Sequence, residues 1–279
     1  MGLFNAFRYD GKRALVVGGA TGMGAAVAEL VQDAGADVVV MDFADVKLAG
    51  AQAIHVNLGE RASIDAALEE LGTGRVDVVF SCAGVADGTP GIEKINFVGH
   101  RYLLDRLVAD GRLGRGGAIG FISSAAGLGW ESNLAELREY IAITDFEAAS
   151  QWAVEHNHAD YMWSKQTICT YVAQEAMGLL KQGIRINAIC PGPTDTPLAQ
   201  ANAEMWLGFG ADYRAEVGVE ASTPLDQAYP LVFLCSDAAG VMTGQIVITD
   251  SGYFASGMTE VFPDATPTVN FLLGRFDRL

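Results

Sequence analysis

Tyr161 and Lys165 stand one helical turn apart in Tyr161-Met162-Trp163-Ser164-Lys165, so both side chains project from one helix face. A free phenol titrates near ~10, too high for an efficient base at neutral pH. An ammonium beside it favours the phenolate and lowers that value. A tyrosine tuned in this way gives a proton to a carbonyl oxygen or takes one from a hydroxyl. Ser124 follows the apolar run Ala118–Ile122 and is placed to donate to the same oxygen and stabilise negative charge developing there. The chemistry these three predict is the interconversion of an alcohol and a carbonyl, with the hydride carried by a cofactor.

A site for that cofactor is legible near the start of the chain. Val17-Gly18-Gly19-Ala20-Thr21-Gly22-Met23-Gly24 lies between a β-rich run, Ala14–Val17, and a stretch of helical spacing, Met23–Ala34. A dinucleotide pyrophosphate needs backbone N–H groups within reach and no side chain in the way. Glycines allow that approach, and a helix N-terminus adds a favourable dipole. Gly18, Thr21, Gly22 and Met23 are the expected contacts. Asp42 follows the second strand, roughly 20 residues after Gly22, where a carboxylate accepts both ribose hydroxyls. It would repel a 2′-phosphate, and Ala20, Thr21 and Phe43 offer no cation to offset that. NAD is the expected cofactor.

These groups need a frame that brings distant segments to one edge. Short apolar runs at Ala14–Val17, Val38–Met41, Val76–Phe80, Ala118–Ile122, Ile184–Ile189 and Ile246–Thr249 predict strands. They are apolar throughout rather than alternating, which suits a parallel sheet buried on both faces. Helices are expected at Met23–Ala34, Ser63–Leu71, Ile92–Val108, from Asp160 as N-cap to just before Gly183, and at Pro224–Ser236. The alternation predicts βαβ units, hence an α/β, doubly wound parallel sheet of Rossmann type. No linker or repeat interrupts it, so 1–279 reads as a single domain. Residues 128–159 read as a helical insertion before Tyr161, with capping boxes expected at Asn133/Glu136 and Thr144/Glu147. Residues 253–279 read as an apolar, irregular tail.

Composition narrows the partners. The 279 residues are 50% hydrophobic with a net charge of -16. An acidic chain of this kind is a poor match to nucleic acid or anionic membranes. The four cysteines show no metal or disulfide spacing, which suits reduced thiols in a cytoplasmic protein without a structural metal. No leader is read in Met1–Asp10, and no apolar run reaches the ~18 residues of a membrane span.

The chain resembles the short-chain dehydrogenase/reductase family. Gly18–Gly24 is similar to its TGxxxGxG turn, with Val17 for the Thr. Ser81-Cys82-Ala83-Gly84 stands where the family has NNAG. Tyr161–Lys165 is its YxxxK element, and Pro191-Gly192-Pro193-Thr194-Asp195-Thr196 is similar to its PGxxxT loop. Within the family it looks most like bacterial 3α-hydroxysteroid dehydrogenase/carbonyl reductases and coniferyl-alcohol dehydrogenases. Those also carry a helical insertion before the Tyr. The resemblance implies cofactor contacts at Asn57, Leu58, Cys82, Ala83, Gly84, Pro191, Gly192, Thr194 and Thr196. It implies that Tyr161 and Lys165 touch the cofactor too, Lys165 holding the nicotinamide ribose. Asn96 is implied to support a water relay to Lys165. Asn57 stands in place of the Asp that often reads adenine, its carbonyl being the expected acceptor.

The resemblance also implies pairing of the helices Ile92–Val108 and Tyr161–Gln182 across a two-fold axis, in a homodimer or homotetramer. The substrate expected is a small apolar alcohol or ketone, bulky and ring-bearing. Its first wall is expected from Leu128, Trp130, Tyr140, Phe146 and Trp152, and its second from Leu198, Met205, Trp206, Leu207, Phe209 and Tyr213. Two other readings stay open: a non-catalytic NAD-sensing regulator on the same fold, and an epimerase or dehydratase.

Overall fold

A computed structural model describes residues 2–278, so Met1 and Leu279, the ends of the expected domain and tail, lie outside the described residues. Seven strands form one parallel sheet in the order β3-β2-β1-β4-β5-β6-β7. They are β1 (Arg13–Val17), β2 (Asp37–Asp42), β3 (Gln52–His55), β4 (Val78–Ser81), β5 (Ala118–Ile122), β6 (Arg185–Pro191) and β7 (Gln245–Thr249). Side chains alternate between faces along each strand. Leu15 and Val17 therefore enter one apolar layer with α2 (Arg61–Leu71), α3 (Gly99–Ala109) and α6 (Tyr161–Lys181). Ala14 and Val16 enter the other, with α1 (Gly22–Asp33) and α10 (Pro224–Cys235). Both faces are covered, and that is why the runs read as apolar throughout. Chain order reverses between β1 and β4, which opens a crevice at the carboxyl ends of the strands.

Several elements differ from expectation. β3 has one buried residue, Ile54, so it carries no apolar run. The helix read as Ile92–Val108 opens with a π-helical turn, Lys94–Val98, before α3. The insertion holds α4 (Leu134–Ala142) and α5 (Phe146–Glu155), but neither expected capping box forms. Asn133 makes no cap bond and donates to Gln166 instead, and the cap of α5 is Asp145, one residue after Thr144, accepting from Ala148 N–H.

The insertion packs inward. Tyr140 and Phe146 join the core with Phe97, Trp163 and Tyr171, and Trp152 stacks on Tyr140 with centroids 5.1 Å apart. Tyr140 and Phe146 are thus core rather than substrate wall, a correction to the first expected wall. α4 and α5 lie against α6 and the π-turn. Between β6 and α10 the chain makes three short helices, α7 (Pro197–Gln200), α8 (Ala203–Trp206) and α9 (Ala211–Val217). The tail is not irregular. It forms α11 (Tyr253–Met258) and α12 (Thr266–Leu272), which bury Phe254, Val269 and Leu272 against Ala125 and Leu128 of the same chain. Phe271 and Val261 remain exposed.

Candidate active site

The crevice between β1 and β4 holds a cavity of about 220 Å³. Gly18, Thr21, Gly22 and Met23 line it from the turn after β1, and Cys82, Ala83 and Gly84 from the turn after β4. The two turns touch closely. A Cβ on Gly18, whose φ is +87°, would sit 2.3 Å from the Ala83 nitrogen, and a Cβ on Gly24 would sit 1.9 Å from the Gly18 carbonyl oxygen. Only glycine fits either place, so α1 starts with bare N–H groups facing the cavity, the arrangement that suits a pyrophosphate.

Asp42 stands at the lip. Its carboxylate accepts from Ala20 N–H at 2.8 Å and from Ala44 N–H at 2.9 Å. These bonds fix it beside the turn, with exposed Phe43 next to it. Leu58 and Thr196 also line the cavity. Other expected contacts lie elsewhere. Asn57 Oδ1 accepts from Gly59 N–H and its Nδ2 donates to Glu60. That carbonyl serves its own turn at the start of α2 with one lone pair and keeps a second. Pro191 closes β6. Gly192 packs on Asp250, and Thr194 Oγ1 donates to the Gly192 carbonyl. Pro191, Gly192 and Thr194 thus set the course of the loop, and Thr196 is the member that reaches the cavity wall. Val56, Val85 and Ile95 line the cavity and were not singled out. Their signal was position alone, beyond a strand end or beside the π-turn.

Tyr161 opens α6, and Asp160 caps that helix as expected by accepting from Trp163 N–H at 2.8 Å. Lys165 is buried one turn on, its Nζ 5.4 Å from the centre of the Tyr161 ring and donating to the Ile122 carbonyl at 3.0 Å. Ser124 ends β5's extension as an N-cap, its Oγ accepting from Ala126 N–H, and its hydroxyl also reaches Tyr161. The expected triad therefore meets. Its electrostatics differ from expectation. Burial pushes the Tyr161 phenol up to about 12, opposed by the bond to Ser124, with Asp87 and Cys190 adding to the rise. Burial also brings the Lys165 ammonium down to about 8, against the pull of the neighbouring thiols. Lys165 points its charge at a carbonyl, and the chain by itself does not bring the phenol down.

Asn96 lies in the π-turn, a feature common at functional sites. Its Oδ1 accepts from Val85 N–H, and its Nδ2 donates to the Val85 carbonyl and to Ser164 Oγ. The side chain is thus a clip holding the turn after β4. It and Lys165 Nζ flank Gly84, at 3.4 and 3.6 Å from where a Cβ would lie. His100 is buried and bonded to the Ala83 carbonyl, and burial lowers its pKa to about 4, so it stands neutral behind the turn. On the open side Trp206 of α8 leans over Tyr161, ring centroids 4.9 Å apart. Asp87, which sequence reasoning passed over, accepts from Tyr161 N–H at 2.6 Å. Among the described residues no group of His, Cys, Asp and Glu side chains is placed to hold a metal.

The Lys165 charge has a stability consequence. Below about pH 8 both folded and unfolded chains hold its proton, and the folded state carries the full burial cost, on the order of 3 kcal/mol. Between about 8 and the ordinary lysine range the unfolded chain binds the proton that the folded chain has released, so stability rises with pH. Lys165→Met removes that charge and leaves the Ile122 carbonyl without its donor, a loss of about 1 kcal/mol. The variant should be inactive yet more stable at neutral pH by on the order of 1–2 kcal/mol, with the gain fading at high pH. Urea unfolding across pH checks this, and a variant less stable than the parent at neutral pH contradicts it.

A parallel sheet with a glycine cradle at its switch point, leading to Tyr161, Lys165 and Ser124, defines a dinucleotide-dependent oxidoreductase architecture. Residues 12–135 match the family described as short chain dehydrogenase, and residues 136–254 the one described as Enoyl-(Acyl carrier protein) reductase. Short-chain dehydrogenase reductase 3a of Arabidopsis thaliana is 30% identical, covering 89% of this chain and 97% of its own. The 3-alpha-hydroxysteroid dehydrogenase/carbonyl reductase of Comamonas testosteroni is 28% identical, covering 85% and 95%. A 3-alpha-hydroxysteroid dehydrogenase from Pseudomonas sp. B-0831, solved with NADH, superposes with a TM-score of 0.70 at 24% identity, over 90% of this chain and 99% of that one. The chain belongs to the short-chain dehydrogenase family.

Proposed function

We propose that the protein interconverts a bulky apolar alcohol and its ketone or aldehyde, using NAD(H). The observation that carries this reading is that the cavity borders the Tyr161–Lys165 pair: Gly84 lines it, and Lys165 Nζ lies 3.6 Å from where a Cβ on Gly84 would stand. The cradle suits a dinucleotide because its turns, packed too closely at Gly18 and Gly24 for any Cβ, present backbone without side chains. Bound there, NAD would supply or accept the hydride. In carbonyl reduction Tyr161 gives its proton to the substrate oxygen, and Ser124 donates to the same oxygen. In oxidation Tyr161 takes that proton. Lys165 is held by the Ile122 carbonyl beside the ring, where its charge favours the deprotonated phenol in the turnover state. Asn96 keeps its proposed place in a proton relay through backbone and water, since its side chain is committed to Val85.

Leu198, Trp206 and Met205 sit on short helices beside the cleft and are the proposed apolar wall. The inward packing of Tyr140 and Phe146 shifts substrate selection from the insertion to this second wall. The hydroxysteroid enzyme among the relatives supports a ring-bearing substrate. A single domain, a homodimer or homotetramer and a cytoplasmic setting complete the proposal. Among the described residues no helix is long and apolar enough to cross a membrane.

The test is an NADH absorbance assay over steroid, terpenoid, aryl, polyol and hydroxy-acid substrates. Wild type should prefer NAD(H) over NADP(H) in kcat/KM, because the Asp42 carboxylate faces a 2′-phosphate without a cation. Asp42→Ala should narrow that preference about tenfold or more, or about 1.4 kcal/mol. A wild-type preference for NADP(H), or for polyols over every ring-bearing alcohol, overturns the corresponding part. Tight NADH binding with no turnover on any class would favour the regulator reading.

A further inference from the structure

Asp87 lies in the loop after β4, just past the Cys82–Val85 side of the cavity. Its Oδ1 accepts from the backbone N–H of Tyr161 at 2.6 Å. That N–H belongs to the first residue of α6 and has no acceptor within the helix. Asp160 serves the same helix end through Trp163 N–H, but it is the local N-cap. Asp87 arrives from another strand. It therefore ties the loop bordering the cofactor cavity to the helix that carries both Tyr161 and Lys165. The carboxylate is exposed, and among the described residues no ion pair includes it. Its charge is thus neutralised by no cation.

We propose that Asp87 is a positioning residue for Tyr161, holding the first turn of α6 against the cleft and setting, through its charge, the pH at which the phenol ionises. The inference rests on the reading of Tyr161 as the acid–base group. The groups facing the phenol are few. Lys165 and Asp160 come from its own helix and its cap, Ser124 from the end of β5, Cys190 from β6, Asp87 from the β4 loop, and uncharged Trp206 from α8. A fixed negative charge among them disfavours the phenolate. Asp87 so adds to the burial that keeps Tyr161 protonated, as the acid of carbonyl reduction, and raises further the pH at which it can serve as base in oxidation.

Asp87→Asn keeps an oxygen for the Tyr161 N–H and removes the charge, whereas Asp87→Ala removes both. The readout is phenolate absorbance against pH, for the parent and each variant, with its own Tyr161→Phe counterpart subtracted. It needs no substrate, and it is run with and without NAD. Asp87→Asn should lower the Tyr161 midpoint by about half a pH unit, the scale of one exposed charge. The gap should shrink as salt rises to about 0.5 M, where screening is short-ranged. Asp87→Ala should lower the midpoint as well and further loosen the helix start, seen as faster hydrogen exchange at the first turn of α6. The same midpoint in parent and Asp87→Asn overturns the inference. The reading beneath it fails separately, by near-normal turnover in Tyr161→Phe alone.

Discussion

Tyr161→Phe should cost about 10²-fold or more in turnover, the scale of a lost acid–base group, while NADH binds as it does to the parent. The expectation rests on separation within the cleft. The cradle that would hold the pyrophosphate is made by Gly18, Gly24 and Ala83, and none of it touches the phenol oxygen. Phenylalanine keeps the ring that meets Trp206. What it loses is the hydroxyl that reaches Ser124 and carries the proton in the proposed step. The pH dependence of the parent has a definite sign. A phenol pushed up to about 12 is protonated through neutral pH, so reduction should run there without a limb from Tyr161. Oxidation needs the deprotonated ring and should climb with rising pH. Initial rates with aryl ketones and alcohols, beside NADH fluorescence titration, read both effects. Near-normal turnover in Tyr161→Phe would show that another group moves the proton.

How far the chain could be read in advance follows from where each signal resides. β1 was legible because its residues go alternately to two apolar layers, Leu15 to one and Val16 to the other. Burial on both faces leaves a continuous run. β3 was not, since three of its four residues face solvent. The α6 start was legible because Asp160 caps its own helix, a bond within three residues. The insertion caps misled because the local pattern underdetermines the outcome. Asn133 found Gln166 across the fold, and Asp145 took the position that Thr144 was expected to fill.

The site divides in the same way. Glycines, Asp42 and the Tyr161–Lys165 spacing state their geometry locally. The π-turn at Asn96 depends on Val85 and Ser164 from other segments. Aromatic residues are ambiguous for a different reason: ring content tells nothing of direction. Tyr140 and Phe146 closed into the core, whereas Trp206 faces Tyr161. The rise of the phenol was missed because spacing predicts the Lys165 partner but not the depth at which both groups are buried. Asp87 was passed over because its partner is a backbone N–H distant in sequence, which no motif records.

Gly24→Val should abolish useful cofactor binding, weakening NADH by about 100-fold or more, or about 2.7 kcal/mol. A Cβ at this position would lie 1.9 Å from the Gly18 carbonyl oxygen and 3.0 Å from Cys82 Cβ. The near atom is backbone, so no rotamer change relieves the clash. The start of α1 must back away from the turn, and its N–H groups leave the positions that face the cavity. The rest of α1 is anchored independently, with Val27, Ala28 and Val31 buried against α10. The fold should therefore survive with a loss of about 1–3 kcal/mol, typical of an overpacked site. Gly22→Ala is the comparison. It also has a positive φ, +58°, but its Cβ would meet nothing closer than Thr196 at 3.5 Å. It should lose roughly 1 kcal/mol to backbone strain and bind NADH only a few-fold more weakly. Calorimetric titration with NADH, beside thermal melts of both variants, separates close approach from general destabilisation. If Gly24→Val binds NADH nearly as well as Gly22→Ala, the dinucleotide does not seat on this turn. The cofactor assignment would then have to be rebuilt from Asp42 and Thr196 outward.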